Sequence, residues 1–211
     1  TRLLVPSGAS VVAVEPVAGM RSQLTAVVAG SGSAGVEVLD GTAESLPLPS
    51  ASVDAVTVAQ AFHWFDPAAA LAEIARVLRP GGVLFLVWNT RDRSVDWVRR
   101  FGELLVDGPG VERPYDAYYD VDYASVVATA GGGAFTPVSA WTHEWTVPTD
   151  EDLLVARAES VSVVGALAPE QRVPVLDRVR QLARTHPDLA GSGWFPFPYT
   201  TRVWWCRRRP G

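Results

Sequence analysis

This 211-residue chain contains no lysine; all 18 of its basic residues are arginine. Against 23 acidic residues they leave a net charge of −5, so no global basic balance argues for nucleic acid as a partner. Cys206 is the single cysteine, which excludes an internal disulfide and fits a reducing cytoplasm. No apolar run approaches the ~20 residues of a membrane span, and no signal peptide is visible. His63, His143 and His186 lie far apart without metal-ligand spacing, so no metal site is expected. No G-x-S-x-G elbow occurs, which leaves a serine hydrolase unsupported. The chain starts at Thr1 and its one methionine is Met20, so the true start is expected upstream. At 48% hydrophobic, the chain can still bury a substantial core, as one α/β domain or one domain with a small cap.

The most informative stretch is 53–89. Val53, Ala55, Val56 and Val58 make a short β-branched run, long enough for a buried strand. Asp66 offers an N-cap oxygen and Pro67 a pre-set φ for a helix. Leu71, Ile74, Ala75 and Leu78 fall at i, i+3, i+4 and i+7, one apolar stripe. Pro80-Gly81-Gly82 is expected to stop that helix. The run 83–88 has no polar alternation, as expected of a strand covered on both faces. Strand, helix and strand predict a right-handed parallel crossover. The loop 59–65 then opens at the carboxyl end of the sheet, where α/β proteins bind ligands.

Around this unit the pattern predicts strands at 11–14, 36–39, 138–147 and 199–207. Helices are expected at about 17–28, 95–106, 123–130, 150–164 and 171–184, with a helix tail at 1–5. Thr149 with Asp152 resembles a capping box. Tyr115, Tyr118, Tyr119 and Tyr123 form an aromatic, acidic segment. Arg207-Arg208-Arg209 reads as a solvated basic end.

Three places can carry chemistry. Glu15 closes a predicted strand, where an acid can bind a ribose diol or can simply favour a helix N-terminus. Gly41-Thr42-Ala43-Glu44 is either an ordinary turn or a backbone N–H and acceptor able to read a base edge. In 59–65, Gln60 offers an amide, and Phe62 and Trp64 can wall a pocket or belong to the core. His63 is either satisfied by a backbone carbonyl or placed as a general base.

Three segments together resemble the class I S-adenosylmethionine-dependent methyltransferases, in the small-molecule group around type 11 and trans-aconitate-like enzymes. They are VVAVEP at 11–16, GTAESLPLPSASVDAVTVAQAFHWFD at 41–66 and ALAEIARVLRPGGVLFLVWN at 70–89. The resemblance implies a Rossmann-like α/β fold with a mostly parallel sheet, an antiparallel last strand and helices on both faces. It implies one domain over 1–211: a cofactor-binding core at 1–106, a region at 107–198 that includes a substrate-side cover, and a last strand and tail at 199–211. It further implies that Glu15 binds the cofactor ribose with Pro16 against the adenine. Thr42, Ala43 and Glu44 would serve the adenine edge, although many relatives carry Asp where this chain has Thr42. Gln60 would lie beside the methionine part, and His63 and Trp64 would face the methyl group. The acceptor implied is a small molecule, with neither nucleic acid nor membrane as partner.

One departure stands out. The family's glycine-rich motif after its first strand is absent, and this first strand would be the middle of the sheet, between 11–14 and 53–58. The chain is therefore expected to be a piece of a longer protein and to bind cofactor poorly or not at all as it stands. The alternative is a methyltransferase-like interaction module that has lost cofactor binding. An NAD-dependent oxidoreductase shares only the acid after the strand at 11–14.

Overall fold

The computed structural model describes residues 4, 7–30, 35–106 and 121–210. The predicted helix tail at 1–5 (apart from Leu4) and Tyr115, Tyr118 and Tyr119 lie outside the described residues. Elements run β1 (Val11–Val14), α1 (Ala18–Gly30), β2 (Val36–Leu39), β3 (Val53–Ala59), a 3-10 turn (Phe62–Trp64), α2 (Pro67–Val77) and β4 (Leu78–Arg91). They continue α3 (Asp96–Val106), α4 (Tyr123–Ala130), β5 (Ser139–Thr149), α5 (Glu151–Glu159), α6 (Ser162–Gly165), α7 (Pro169–Thr185) and β6 (Phe195–Arg207). No described helix is long and apolar enough to cross a membrane.

The strands form two hydrogen-bonded sheets. β1 pairs β2 in parallel, and a four-stranded sheet has the order β3-β4-β6-β5. β3 and β4 are parallel, as the crossover predicts. β6 is antiparallel to β4: Gly81 N–H donates to Arg208 O at one end and Asp92 N–H to Pro198 O at the other. Just before β5, Phe135 and Arg208 form an antiparallel bridge. Among the described residues no strand joins β1 to β3, so each keeps one edge outside any ladder. That explains a departure from expectation. β1 is half-buried along its length, α1 has no fully buried residue, and only Val58 of β3 is buried.

α2 starts where the sequence places it, with the Asp66 carboxylate accepting from Ala69 N–H at 2.9 Å and Pro67 in the first turn. Ala70, Leu71, Ile74 and Val77 form its buried face. Its end differs from the expected Pro80-Gly81-Gly82 stop. Leu78 already has extended backbone, and β4 begins there. Arg79 precedes a proline and is biased away from helix. The last carbonyls of α2 are taken from a distance: Arg76 O accepts from Ala51 N–H (2.8 Å) and Val77 O from Ser52 N–H (2.9 Å). Pro80-Gly81-Gly82 instead makes a bulge. Val53 opposes Leu78 but Ala55 opposes Val83, so five steps along β4 match two along β3. Gly81 sits at φ 79°, a conformation that suits glycine. Beyond the bulge one face of β4 is buried (Leu84, Leu86, Trp88, Thr90) and the other only half-buried, not covered on both faces as expected.

The C-terminal arginines are not a solvated tail. Arg207 donates to Gly81 O at 2.9 Å, Arg208 to Leu78 O, and Arg209 to Phe135 O at 2.8 Å. They clasp the bulge and the turn before β5. Arg208 meets a carbonyl at the C-terminus of α2, where the helix dipole favours a cation. The cap of α5 is Asp150, whose carboxylate accepts from Leu153 N–H at 2.8 Å. Thr149, the expected cap, bonds Val147 O instead.

Contacts group the chain into two compact units: Thr1–Val87, Asp122–Ala140 and Trp204–Gly211, and Trp88–Val121 with Trp141–Val203. The second has its own core, where Trp97 meets Phe195 and Phe197 edge to face at 5.4 and 5.2 Å, above Phe101, Leu154, Val164 and Val179. His186, buried at the end of α7, reaches Asp96 at the start of α3 across 3.1 Å. The His186 bond first, and the Arg99 bond second, hold the Asp96 carboxyl below its usual range. A depressed carboxylate stabilises the fold fully above the ordinary carboxylate range, and that stabilisation is lost as pH falls through the folded value. Asp96→Asn should therefore lower the melting temperature at pH 7, with the gap to the parent protein closing in acid; thermal melts over a pH series check this.

Candidate functional site

The carboxyl end of β1 carries Glu15. Its Oε1 accepts from Val17 N–H at 2.9 Å, while Oε2 meets no donor among the described residues. One nitrogen of Arg21 serves Glu15 O (2.7 Å), Pro16 O (3.1 Å) and the Asp40 carboxylate (3.0 Å). Arg21 thus ties the ends of β1 and β2 together, a role the sequence reading did not assign.

Asp40 leads into the loop 41–52. Gly41 sits so close to β1 that an added Cβ would lie 2.7 Å from Pro47 Cδ and 3.1 Å from Val14 Cγ1, so a side chain there would force the loop outward. Thr42 to Ser45 is a tight turn closed by Ser45 N–H on Thr42 O at 3.3 Å. The Thr42 hydroxyl and the Ala43 N–H meet no partner among the described residues. Glu44 Oε1 accepts from Asp66 N–H at 3.0 Å, which joins this turn to the start of α2.

The loop is then clamped onto α2. Arg76 grips Glu73 through Nε (2.8 Å) and Nη2 (2.7 Å), and spends its remaining reach on Leu48 O (2.8 Å) and Leu46 O (3.0 Å). Glu73 Oε2 takes Leu46 N–H at 3.0 Å. The Arg76 hydrogen bond, with the charge beside it, holds Glu73 below its ordinary range. A planar guanidinium suits this fork; an ammonium does not.

At the end of β3, Gln60 N–H keeps the ladder bond to Val87 O (2.9 Å) while its own φ is 55°, left-handed and uncommon for a residue with a Cβ. That turn aims the chain into the 3-10 segment. Phe62 anchors it, fully buried and edge-on to Phe65 and to Tyr123 of α4 at 5.6 and 5.9 Å. Phe62 is therefore core, not pocket wall. Trp64 is 74% exposed and tilted against His63 at 4.8 Å. His63 is half-buried with Nδ1 closed off from solvent, and burial pushes its pKa down, which favours the neutral ring at pH 7. A neutral imidazole can accept a proton at Nε2.

The structure thus brings Thr42, Ala43 and Glu44 to the N-terminus of α2, next in sequence to His63 and Trp64, and brings Glu15 and Pro16 to Asp40, the residue before that same loop. Arg21, Glu73, Arg76 and Asp66 hold these pieces; only Asp66 carried a readable signal, as a cap. A surface depression of about 380 Å³ lined by Arg76, Gly132, Gly133, Arg208 and Arg209, among others, contains none of the expected site residues. Among the described residues no cluster of three or more His, Cys, Asp or Glu is placed to hold a metal.

Comparisons with known proteins point to one family. The sequence pattern of a family described as a methyltransferase domain matches residues 1–86. An uncharacterised methyltransferase of Mycobacterium tuberculosis is 43% identical over 202 residues, covering 95% of this chain and 75% of that protein. A methyltransferase-like protein of Schizosaccharomyces pombe is 29% identical over 175 residues, covering 83% and 66%. Among solved structures, the YcgJ protein of Bacillus subtilis superposes with a TM-score of 0.55 at 20% identity, over 95% of this chain and 82% of that one; it shows likeness of fold alone.

Removing the clamp should free the loop without touching its ends. Arg76→Met is expected to lower the midpoint of denaturant unfolding, because the Glu73 carboxylate and the Leu46 and Leu48 carbonyls lose their shared donor. Amide exchange at Leu46 should speed up, and Arg76→Lys should not restore the parent behaviour.

Proposed function

The chain belongs to the class I S-adenosylmethionine-dependent methyltransferases, with their Rossmann-like α/β fold, and on that footing we propose that the full-length protein methylates a small-molecule acceptor at a site built from Glu15, Pro16, residues 42–44, Gln60 and His63. One observation carries the reading: the Glu44 bond to Asp66 ties the turn proposed for the adenine to the segment proposed for the methyl group, within hydrogen-bond reach at 3.0 Å.

The residues fit the cofactor's chemistry. Glu15 Oε2 is available to accept from two ribose hydroxyls while Oε1 holds Val17 N–H. Pro16 offers an exposed ring for the adenine face. The Ala43 N–H is a donor for a ring nitrogen, and the Thr42 hydroxyl is an acceptor for an exocyclic amine. Gln60 brings its amide to the methionine part. S-adenosylmethionine, when bound, supplies a methyl group on a positively charged sulfur. His63 Nε2 would take the proton that the acceptor oxygen, nitrogen or carbon gives up. Trp64, exposed beside it, supplies an aromatic wall for an apolar acceptor. Alignment of acceptor and methyl accounts for much of the rate in such a transfer.

Calorimetric titration of the whole protein with S-adenosylhomocysteine tests the cofactor half. Saturable binding that Glu15→Gln weakens about tenfold or more supports it, since an ionised acceptor contributes about 1.5–3 kcal/mol per bond. No binding by the parent protein favours the interaction module instead. In turnover, kcat/KM should rise with pH through a midpoint below the ordinary histidine value of about 6.5. His63→Ala should lack that limb, and unchanged turnover in this variant would remove His63 from the catalytic set.

A further inference from the structure

β5 ends the order β3-β4-β6-β5, and its outer edge has no strand partner among the described residues. Residues 139–146 are all exposed, on both faces. Edge strands are usually blunted by lysine, proline or a bulge. Here the one charged side chain of the strand is Glu144, and its one proline is Pro148, near the end. Before that proline stands Trp141-Thr142-His143-Glu144-Trp145, with the two indoles and the imidazole on one face. Trp141 is 52% and Trp145 37% exposed. Neither is loose: Trp141 stacks on His143 at 5.4 Å with an 8° tilt, and Trp145 stacks on Tyr199 at 5.2 Å and donates Nε1–H to Thr201 at 2.9 Å.

We propose that this edge pairs antiparallel with the same edge of a second copy, about a twofold axis at His143. The occupant follows from the sequence order. Read outward from His143, the segment meets a tryptophan two residues away in either direction. In antiparallel pairing about that residue, each Trp141 lies opposite Trp145 of the other copy, and each Thr142 opposite Glu144. The result is two aromatic cross-strand pairs on one face and two hydrogen-bonding pairs on the other, with no carboxylate facing a carboxylate. A twofold interface has to be self-complementary in this way. Each indole buries about 150–250 Å² when covered, and those of this strand are already held in place, which lowers the entropy cost of docking.

Sedimentation velocity on the whole protein should show a dimer at micromolar concentration. His143→Lys sets two ammonium groups opposite each other and should give a monomer with an unchanged far-UV spectrum. The register is tested by single cysteines, because native Cys206 is buried and its thiol is pushed up to about 11. His143→Cys places two sulfurs across the axis, within disulfide reach, and should cross-link on mild oxidation. Trp145→Cys leaves its equivalents about 13 Å apart along the strand and should not. A monomeric parent protein, a dimeric His143→Lys, or cross-linking of Trp145→Cys as fast as His143→Cys would overturn the proposal.

Discussion

The guanidinium of Arg76 is the fastening on which the proposed site depends. It grips Glu73 and the carbonyls of Leu46 and Leu48 together, and so fixes the loop 41–52 to α2. The same loop returns the favour: the N–H groups of Ala51 and Ser52 close the C-terminal carbonyls of α2. At its other end it presses Gly41 against Val14 and Pro47. The two hydrogen-bonded sheets share no ladder among the described residues, so this loop is a physical route from the end of β1 to the end of β3. A site assembled from Glu15 on one side and His63 on the other needs such a connection.

The open strand edges follow a related logic. β1 and β3 have one partner each, and their faces stay half-covered; a strand becomes fully buried only when both its neighbours and its faces are closed. β4, with partners on both sides, is where buried side chains gather. Strain concentrates at a loop joint rather than in the sheet. Gln60 turns left-handed at the last rung of β3, at a cost of about 1–3 kcal/mol by the usual scale. That turn sets the 3-10 segment whose Phe62 is buried, whose His63 is half-buried and whose Trp64 is exposed.

Features encoded locally are legible in the sequence. Asp66 and Pro67 announced the start of α2, and Tyr123–Ala130 was readable to the residue from its flanks. Features that depend on a distant partner are not legible there. The end of α2 was assigned to Pro80-Gly81-Gly82, but the groups that close it come from Ala51, Ser52 and Arg208. Arg207, Arg208 and Arg209 looked like a solvated tail because the carbonyls that Arg207 and Arg208 bind lie 126 and 130 residues away in sequence. Thr149 and Asp150 are both good caps, and only geometry chose the second. The proposed site residues rest on type and position; the Glu44 bond to Asp66 and the Arg76 fork have no local signature at all.

The central claim is that the end of β1, the turn at 42–45 and the segment 60–66 act as one ligand-binding surface. Hydrogen exchange with and without S-adenosylhomocysteine measures this most directly. The account predicts slowed exchange at Val17, Ala43 and Trp64 together, with the same dependence on ligand concentration. Slowing confined to one of these segments, or at different concentrations in each, would contradict it.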